Sequence, residues 1–361
     1  MAYFAPQQPA FNYLHHLVLM YGNAQQPWSV EDLRFYVAHQ SPTGTWHDWL
    51  FDSFLFLNIC SKNKRDYRAD VNVGTTMSGE GDFFAVCSPQ PAGAQEWEEL
   101  LDFYVATVKT LHQTIAELKP HIPTPLPHPR NVVLMIPYPH ITQTNFGRSG
   151  WNFSTQGQNL DQATRHRLAA CTWFVSELKR RLIATEYVHI LGVYWMFETV
   201  FRSWDIDDHW LLKELRPVIH QMGYKFLWIP FYSRYNIHLL DDYQNYYFDL
   251  AFLQPNYMFY RQGVDLVQAA QAAYQRQAGI EIEYYLELDE PIAIQGERQR
   301  RFREYLNAGV TQGYMRSAAC AYFLGQKSLE RMVVHPDPRE REFYQDIYHF
   351  VRGTYQLKPW N

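Results

Sequence analysis

Short runs of β-branched, leucine and aromatic residues recur along this chain, separated by longer segments whose apolar positions fall every three to four residues. The short runs predict strands at His16–Tyr21, 51–58, 131–138, 188–196, 225–231, 249–256, 280–287 and 318–324, each bounded by Gly, Pro, Asn or polar clusters. The longer segments predict helices. Ser29 caps a short one reaching about His39, with Glu31 and Asp32 in its first turn where the helix dipole favours negative charge. The segment 96–119 aligns Leu100, Leu101, Tyr104, Val108, Leu111 and Ile115 on one face. The segment 160–185 does the same with Leu168, Cys171, Phe174, Val175, Leu178 and Leu182, and carries a basic stretch at 179–181 suited to a helix C-terminus. Further helices are expected at 207–222, 237–246, 264–277, 296–308 and 339–353, with Gly223, Gly279 and Gly309 placed to end three of them.

Eight strands, each followed by a helix, predict an α/β fold: a single (β/α)8 barrel domain spanning 1–361. An open doubly wound sheet would call for a glycine-rich turn after strand one. The chain reads MYGNAQQPW there, without GxGxxG. Long loops follow strand two (about 60–95) and strand three (139–159), at the end of a barrel where active sites are built. The proline-rich segment 121–129 precedes strand three and belongs to the opposite, structural end.

Composition narrows the function classes. The chain has 361 residues and a formal net charge of -5, which argues against a nucleic-acid binder. No run approaches the ~18 apolar residues of a membrane span, and the N-terminus lacks the pattern of a secretory signal. The chain as given therefore reads as cytoplasmic, with a trimmed secreted protein or a phage-associated one left open. Cys60, Cys87, Cys171 and Cys320 show no metal-ligand or redox spacing, so buried thiols are expected rather than disulfides, and neither metal nor cofactor is called for. Aromatic residues make up 17% of the chain. Many must be core, but those at strand ends have the flat faces and hydroxyls that suit a sugar.

The candidate chemistry lies in carboxylates on strands. In strand four, Gly192, Tyr194, Met196 and Glu198 share one parity, which places Glu198 toward the axis at the catalytic end. The plainer alternative is a loop glutamate paired with Arg202 or Arg234. In strand seven, Glu281, Glu283, Tyr285 and Glu287 share the inward parity, with Glu283 midway and Glu281 deeper, held by an Arg or Tyr. An acid on an inward strand face needs a partner or a use. Strand six ends in QPNY, where Gln254 and Asn256 point inward and Tyr257 follows. Strand five offers Tyr232 and Arg234, and strand three Tyr138 and His140. Arg148 and Trp151, in NFGRSGWN, are read as one wall of a cleft. Asp52, near the start of strand two, is kept as a site candidate although an acid there more often anchors structure. HExxH, P-loop and GxSxG motifs are all missing, and the turn GQKS at 325–328 is a weak phosphate signal.

The stretches LVLMYG (17–22), WLFDSFLFL (49–57), GVYWMFE (192–198), FDLAFLQPNY (248–257) and GIEIEYY (279–285) resemble the family known as domain of unknown function 4855. That resemblance implies a TIM barrel similar to glycoside hydrolases. By a wider likeness to retaining glycosidases, Glu198 takes the acid/base role and Glu283 the nucleophile, although Phe197 stands where such enzymes usually carry Asn. The function expected is cleavage of an unidentified poly- or oligosaccharide by two carboxylates. The alternative is a non-catalytic glycan-binding or scaffold barrel.

Overall fold

The computed structural model describes residues 1–22, 27–63, 65–67, 88–259, 264–286 and 291–360. Its centre is a closed barrel of eight parallel strands: β1 His16–Tyr21, β2 Ser53–Leu57, β3 Arg130–Ile136, β4 Val188–Trp195, β5 Lys225–Trp228, β6 Leu250–Leu253, β7 Gly279–Glu283 and β8 Cys320–Phe323. Each strand pairs with its neighbours in sequence, and β8 closes onto β1. All eight runs expected from the pattern are present, most of them shorter than read. The principal helices are α1 Val30–Val37, α2 Ala94–Leu118, α3 Leu160–Arg181, α4 Asp208–Gln221, α5 Arg234–Leu240, α6 Leu266–Gln275, α7 Ile292–Thr311 and α8 Pro338–Val351.

Register shows which side chains share the lumen, because partners across a parallel ladder lie on the same side of the sheet. Leu17 pairs with Ala321 and Ser53, Leu55 with Val133, Met135 with Tyr194, Tyr194 with Leu227, Leu227 with Leu250, and Glu281 with Ala321. These residues follow one pleat around the closed ring. Glu281 and Glu283 therefore belong to the same face as Tyr194, as strand parity predicted. Tyr284, on the other face of β7, packs between α7 and α8 against Phe302 and Phe343.

Local chemistry explains most helix ends. Ser29 accepts from the Asp32 amide, and Asp32 reaches back to the Ser29 amide, a reciprocal cap that starts α1. Gly223, with φ 78°, follows α4 as expected. Gly279 and Gly309 do not end helices. Gly279 opens β7, where a Cβ would lie 2.5 Å from the Phe252 ring, and Gly309 sits within α7 against Phe350. Both are close-packing glycines, which a local stop-signal reading does not distinguish. Two buried ion pairs tie helices together: Arg167–Asp208 at 2.6 Å joins α3 to α4, and Arg303–Asp346 at 2.5 Å joins α7 to α8.

The lower end is plugged by the N-terminal segment. Asn12 donates to the Asn131 side chain (2.8 Å) and to the Pro129 carbonyl (3.2 Å), while Phe4 exchanges backbone hydrogen bonds with Ala278 and Ala319. Most of the loop expected at 60–95 lies outside the described residues. The loop at 139–159 is described, and it contains no helix or strand.

Gly192 sets the approach of β4 to β5, since an added Cβ would fall 2.1 Å from the Lys225 carbonyl oxygen. Gly192→Ala is expected to destabilise the fold by about 2–3 kcal/mol, the upper range for overpacking, because backbone rather than a pliable side chain must move. Urea unfolding of the two proteins checks this, and an unchanged midpoint contradicts it.

Candidate active site at the upper end of the barrel

The site is built where β4, β6 and β7 end. Glu283 is the last residue of β7, not a mid-strand residue, because the ladder stops before Tyr284. Its side chain is fully buried. Oε2 accepts from the Tyr305 hydroxyl of α7 and from the Met258 amide at 3.3 Å. Oε1 is buried without a hydrogen bond of normal geometry, although the Gln254 side chain and Asn256 backbone lie close enough to ease its charge. Asn256 adopts left-handed backbone (φ 59°), turning the chain after β6 so that the following residues pass over Glu283.

Glu281 lies one pleat deeper, 1% exposed, with Oε2 buried and unpartnered. The sequence reading gave it an Arg or Tyr partner. The structure instead gives the tyrosine to Glu283, and among the described residues no cation forms an ion pair with either acid. Burial therefore dominates both titrations. It pushes the Glu283 carboxyl up to about 7, against the pull of Tyr305, Met258, Gln254 and Asn256. Glu281 is raised well above the carboxylate range by burial first, then by the charges of Glu283 and Glu198. Burial thus disfavours the charged form of both acids, and the donors around Glu283 oppose it there.

Glu198 is half-buried and stands three residues beyond β4. Its backbone is fixed by Asn236 of α5, whose amide donates to the Glu198 carbonyl (3.0 Å) and the Phe231 carbonyl (2.8 Å). Trp228 donates to the adjacent Phe197 carbonyl at 2.9 Å. Tyr194 connects the acids: its hydroxyl is raised well above its ordinary value by burial, then by Tyr21, Glu198 and Glu281. Glu198, Glu281 and Tyr194 therefore act on one another across the lumen. Around the rim, Tyr285 faces Phe259 and Phe323, each with ring centres 6.2 Å away, and Phe323 meets Tyr21 edge-on at 5.5 Å.

Several expected site residues are placed elsewhere. Tyr138 is buried, and its hydroxyl donates to Asp208 (3.0 Å) within the Arg167 pair, which makes it an anchor of α4. Tyr257 turns to α7: its hydroxyl bonds Glu304 at 2.5 Å and its ring packs against Tyr305. Arg148 lies over Trp173 of α3 and 4.0 Å from Glu98 of α2, and Trp151 packs on Phe146. Those contacts engage the tops of helices rather than the acids. Tyr232 is half-buried beside the end of β6, its amide bonded to the Gln254 carbonyl at 2.8 Å. Arg234 opens α5, and its side chain lies outside the described residues, as does Glu287. Asp52 sits at the opposite end of the barrel, accepting the His15 and His16 amides and the Ser53 hydroxyl. The sequence reading missed Tyr305 and Asn236. Tyr305 shares a helix face with Phe302 and Leu306 and reads as core, and Asn236 reads as an ordinary loop-side amide.

A hydrogen bond donated to a carboxylate favours its charged form. Tyr305→Phe is thus expected to move the Glu283 titration upward from about 7, read by carbon-13 NMR of labelled glutamate. An unchanged or lowered midpoint contradicts the assignment. Stability follows the same linkage. Glu283 binds its proton more tightly folded than unfolded, so its contribution falls as pH rises from about 4.5 to about 7 and levels off above. Glu283→Gln removes that loss, and its stability relative to wild type is expected to climb through the same window by up to about 3 kcal/mol. A pH-independent difference in denaturant midpoints contradicts this.

Among solved structures, the fold is similar to the spore cortex-lytic enzyme SleL of Bacillus cereus, with 10% identity over 96% of this chain and 76% of that one and a TM-score of 0.44. It is similar to xylanase 10B of Thermotoga maritima, at 10% identity over 90% and 86% with a TM-score of 0.40. It also resembles a mutant tryptophan synthase alpha-subunit from Pyrococcus furiosus, at 10% identity over 97% and 99% with a TM-score of 0.38. Likeness at this level says nothing of activity. No curated protein matches the chain. The profile of one family matches residues 16–349, nearly the whole barrel, and the chain belongs to that family, Domain of unknown function (DUF4855).

Proposed function

We propose that this barrel is a glycoside hydrolase in which Glu198 and Glu283 carry the reaction. The observation that supports the reading is a pair of buried acids, Glu281 and Glu283, on the lumen face of β7, neither paired with a cation among the described residues and Glu281 under the field of Glu198. A purely structural acid at such a place would take a cation or a full set of donors. Glu283 is instead left near neutrality, able to exist charged or neutral at physiological pH.

In the proposed retaining mechanism, ionised Glu283 attacks the anomeric carbon of a sugar held at the strand ends. Glu198, nearer solvent, protonates the departing glycosidic oxygen. The bond to the leaving group breaks as the Glu283–carbon bond forms. Glu198, now a carboxylate, then takes a proton from water, whose oxygen displaces Glu283. Tyr305 and the Met258 amide stabilise the Glu283 carboxylate before attack and on its return. Burial of Glu281 disfavours its charged form, which spares Glu283 an adjacent charge. Tyr194, Gln254, Asn256 and the Tyr285–Phe323–Tyr21 rim are proposed to hold the sugar. The proposed substrate is thus a carbohydrate.

The alternative of a glycan-binding barrel without turnover is favoured by one feature, the complete burial of Glu283. Turnover decides between them. On a glycan that the wild-type protein cleaves, Glu198→Gln and Glu283→Gln are each expected to lower the rate by about a hundred- to ten-thousand-fold, with folding retained. The acidic limb of kcat/KM should fall near pH 7, because activity requires ionised Glu283. Proton NMR of the first-formed sugar should show retained configuration. Wild-type rates in both variants, or binding without cleavage across a broad glycan panel, would overturn the reading.

A further inference from the structure

The opposite end of the barrel holds a polar concavity that plays no part in the chemistry above. A cleft of about 540 Å³ opens between the start of β1–β3, the proline-rich stretch before β3 and the end of α8. Prolines 125, 127 and 129 form one wall. Proline has a fixed φ and no backbone N–H, so this wall is stiff and its three prolines offer no main-chain donor.

Arg130 lines this cleft and is 3% exposed. Its side chain makes no hydrogen bond and no ion pair with the described residues, and its Nε is buried without a partner. The guanidinium is positioned by the Trp49 ring, 5.4 Å from its centre. Burial and the nearby Arg352 charge both disfavour the cation, which the fields of Asp52 and Asp48 only partly offset. Neither acid is available as a direct partner. Asp52 accepts the His15 and His16 amides and the Ser53 hydroxyl, while Asp48 is bound by Arg352 at 2.8 Å and by the Tyr348 hydroxyl at 3.0 Å. His15, on the same cleft, has a buried Nε2 without a hydrogen bond.

A buried guanidinium without an acceptor is costly, and its planar fork matches the paired oxygens of a carboxylate or phosphate. From this geometry we infer that the cleft is a binding site for a small oxyanion, with Arg130 as the bidentate donor and His15 as an auxiliary contact. The site is independent of the proposed hydrolase centre, so neither stands or falls with the other.

The full-length protein is titrated with inorganic phosphate and separately with malonate, at ionic strength held constant with chloride. Binding is read by calorimetry and by fluorine NMR of protein carrying 5-fluorotryptophan, with the Trp49 resonance assigned from Trp49→Phe. Saturable one-site binding of either anion is expected, together with a shift of the Trp49 signal. The tighter anion identifies the source as phosphate or carboxylate. Arg130→Gln should weaken binding at least about tenfold, and Arg130→Lys, which keeps charge but loses the fork, should not restore it fully. Should Arg130→Gln fail to fold, the wild-type Trp49 signal still decides. Absence of saturable binding by both anions, a Trp49 signal that follows only ionic strength, or wild-type affinity in a folded Arg130→Gln variant overturns the assignment.

Discussion

Two carboxylates one pleat apart on the inner face of a barrel strand, with no cation bound to either among the described residues, constrain the upper half of this molecule. Removing an ionised carboxylate from water costs several kcal/mol even after relaxation. The surroundings therefore decide whether each acid keeps its proton. Glu281 receives no compensating contact at Oε2 from the described residues, and burial raises its carboxyl well above the ordinary range. Glu283 receives the Tyr305 hydroxyl, the Met258 amide and the dipoles of the turn at Asn256, and is brought to the edge of ionisation.

The scaffold makes this arrangement repeatable. β6 ends three residues sooner than its run suggests on the Asn256 side, releasing a left-handed turn over Glu283. Asn236 ties the segment after β4 to the segment after β5, which gives Glu198 a fixed backbone although it stands outside the ladder. The Arg167–Asp208–Tyr138 network anchors the start of α4 just beyond that segment. Strands, turns and helix ends are joined by buried polar contacts, so the acids are held at the rigid end of short connections.

Much of the fold was legible because its signals are local and repeated. Eight apolar runs alternate with amphipathic stretches, and strand parity placed Glu281 and Glu283 on the lumen face. The same period-two argument failed to find where β7 stops, since Tyr284 and Tyr285 continue the pattern after the ladder has ended. The capping pair at Ser29 and Asp32 could be read from four residues, whereas Gly279 and Gly309 serve contacts with Phe252 and Phe350 far along the chain. Tyr305 was illegible for a like reason: a tyrosine on an apolar helix face has the same pattern whether its hydroxyl meets water, backbone or a catalytic acid. Strand-end position does not reveal that the Tyr138 and Tyr257 hydroxyls bond Asp208 and Glu304.

Whether Glu198 and Glu283 work on one sugar is decided by a crystal structure of the Glu283→Gln variant with a bound oligosaccharide. The account predicts one ring lodged at the strand ends, its anomeric carbon facing residue 283 and its glycosidic oxygen within hydrogen-bond reach of Glu198. A sugar seated on the outer surface of the barrel, with both positions out of contact, would contradict it.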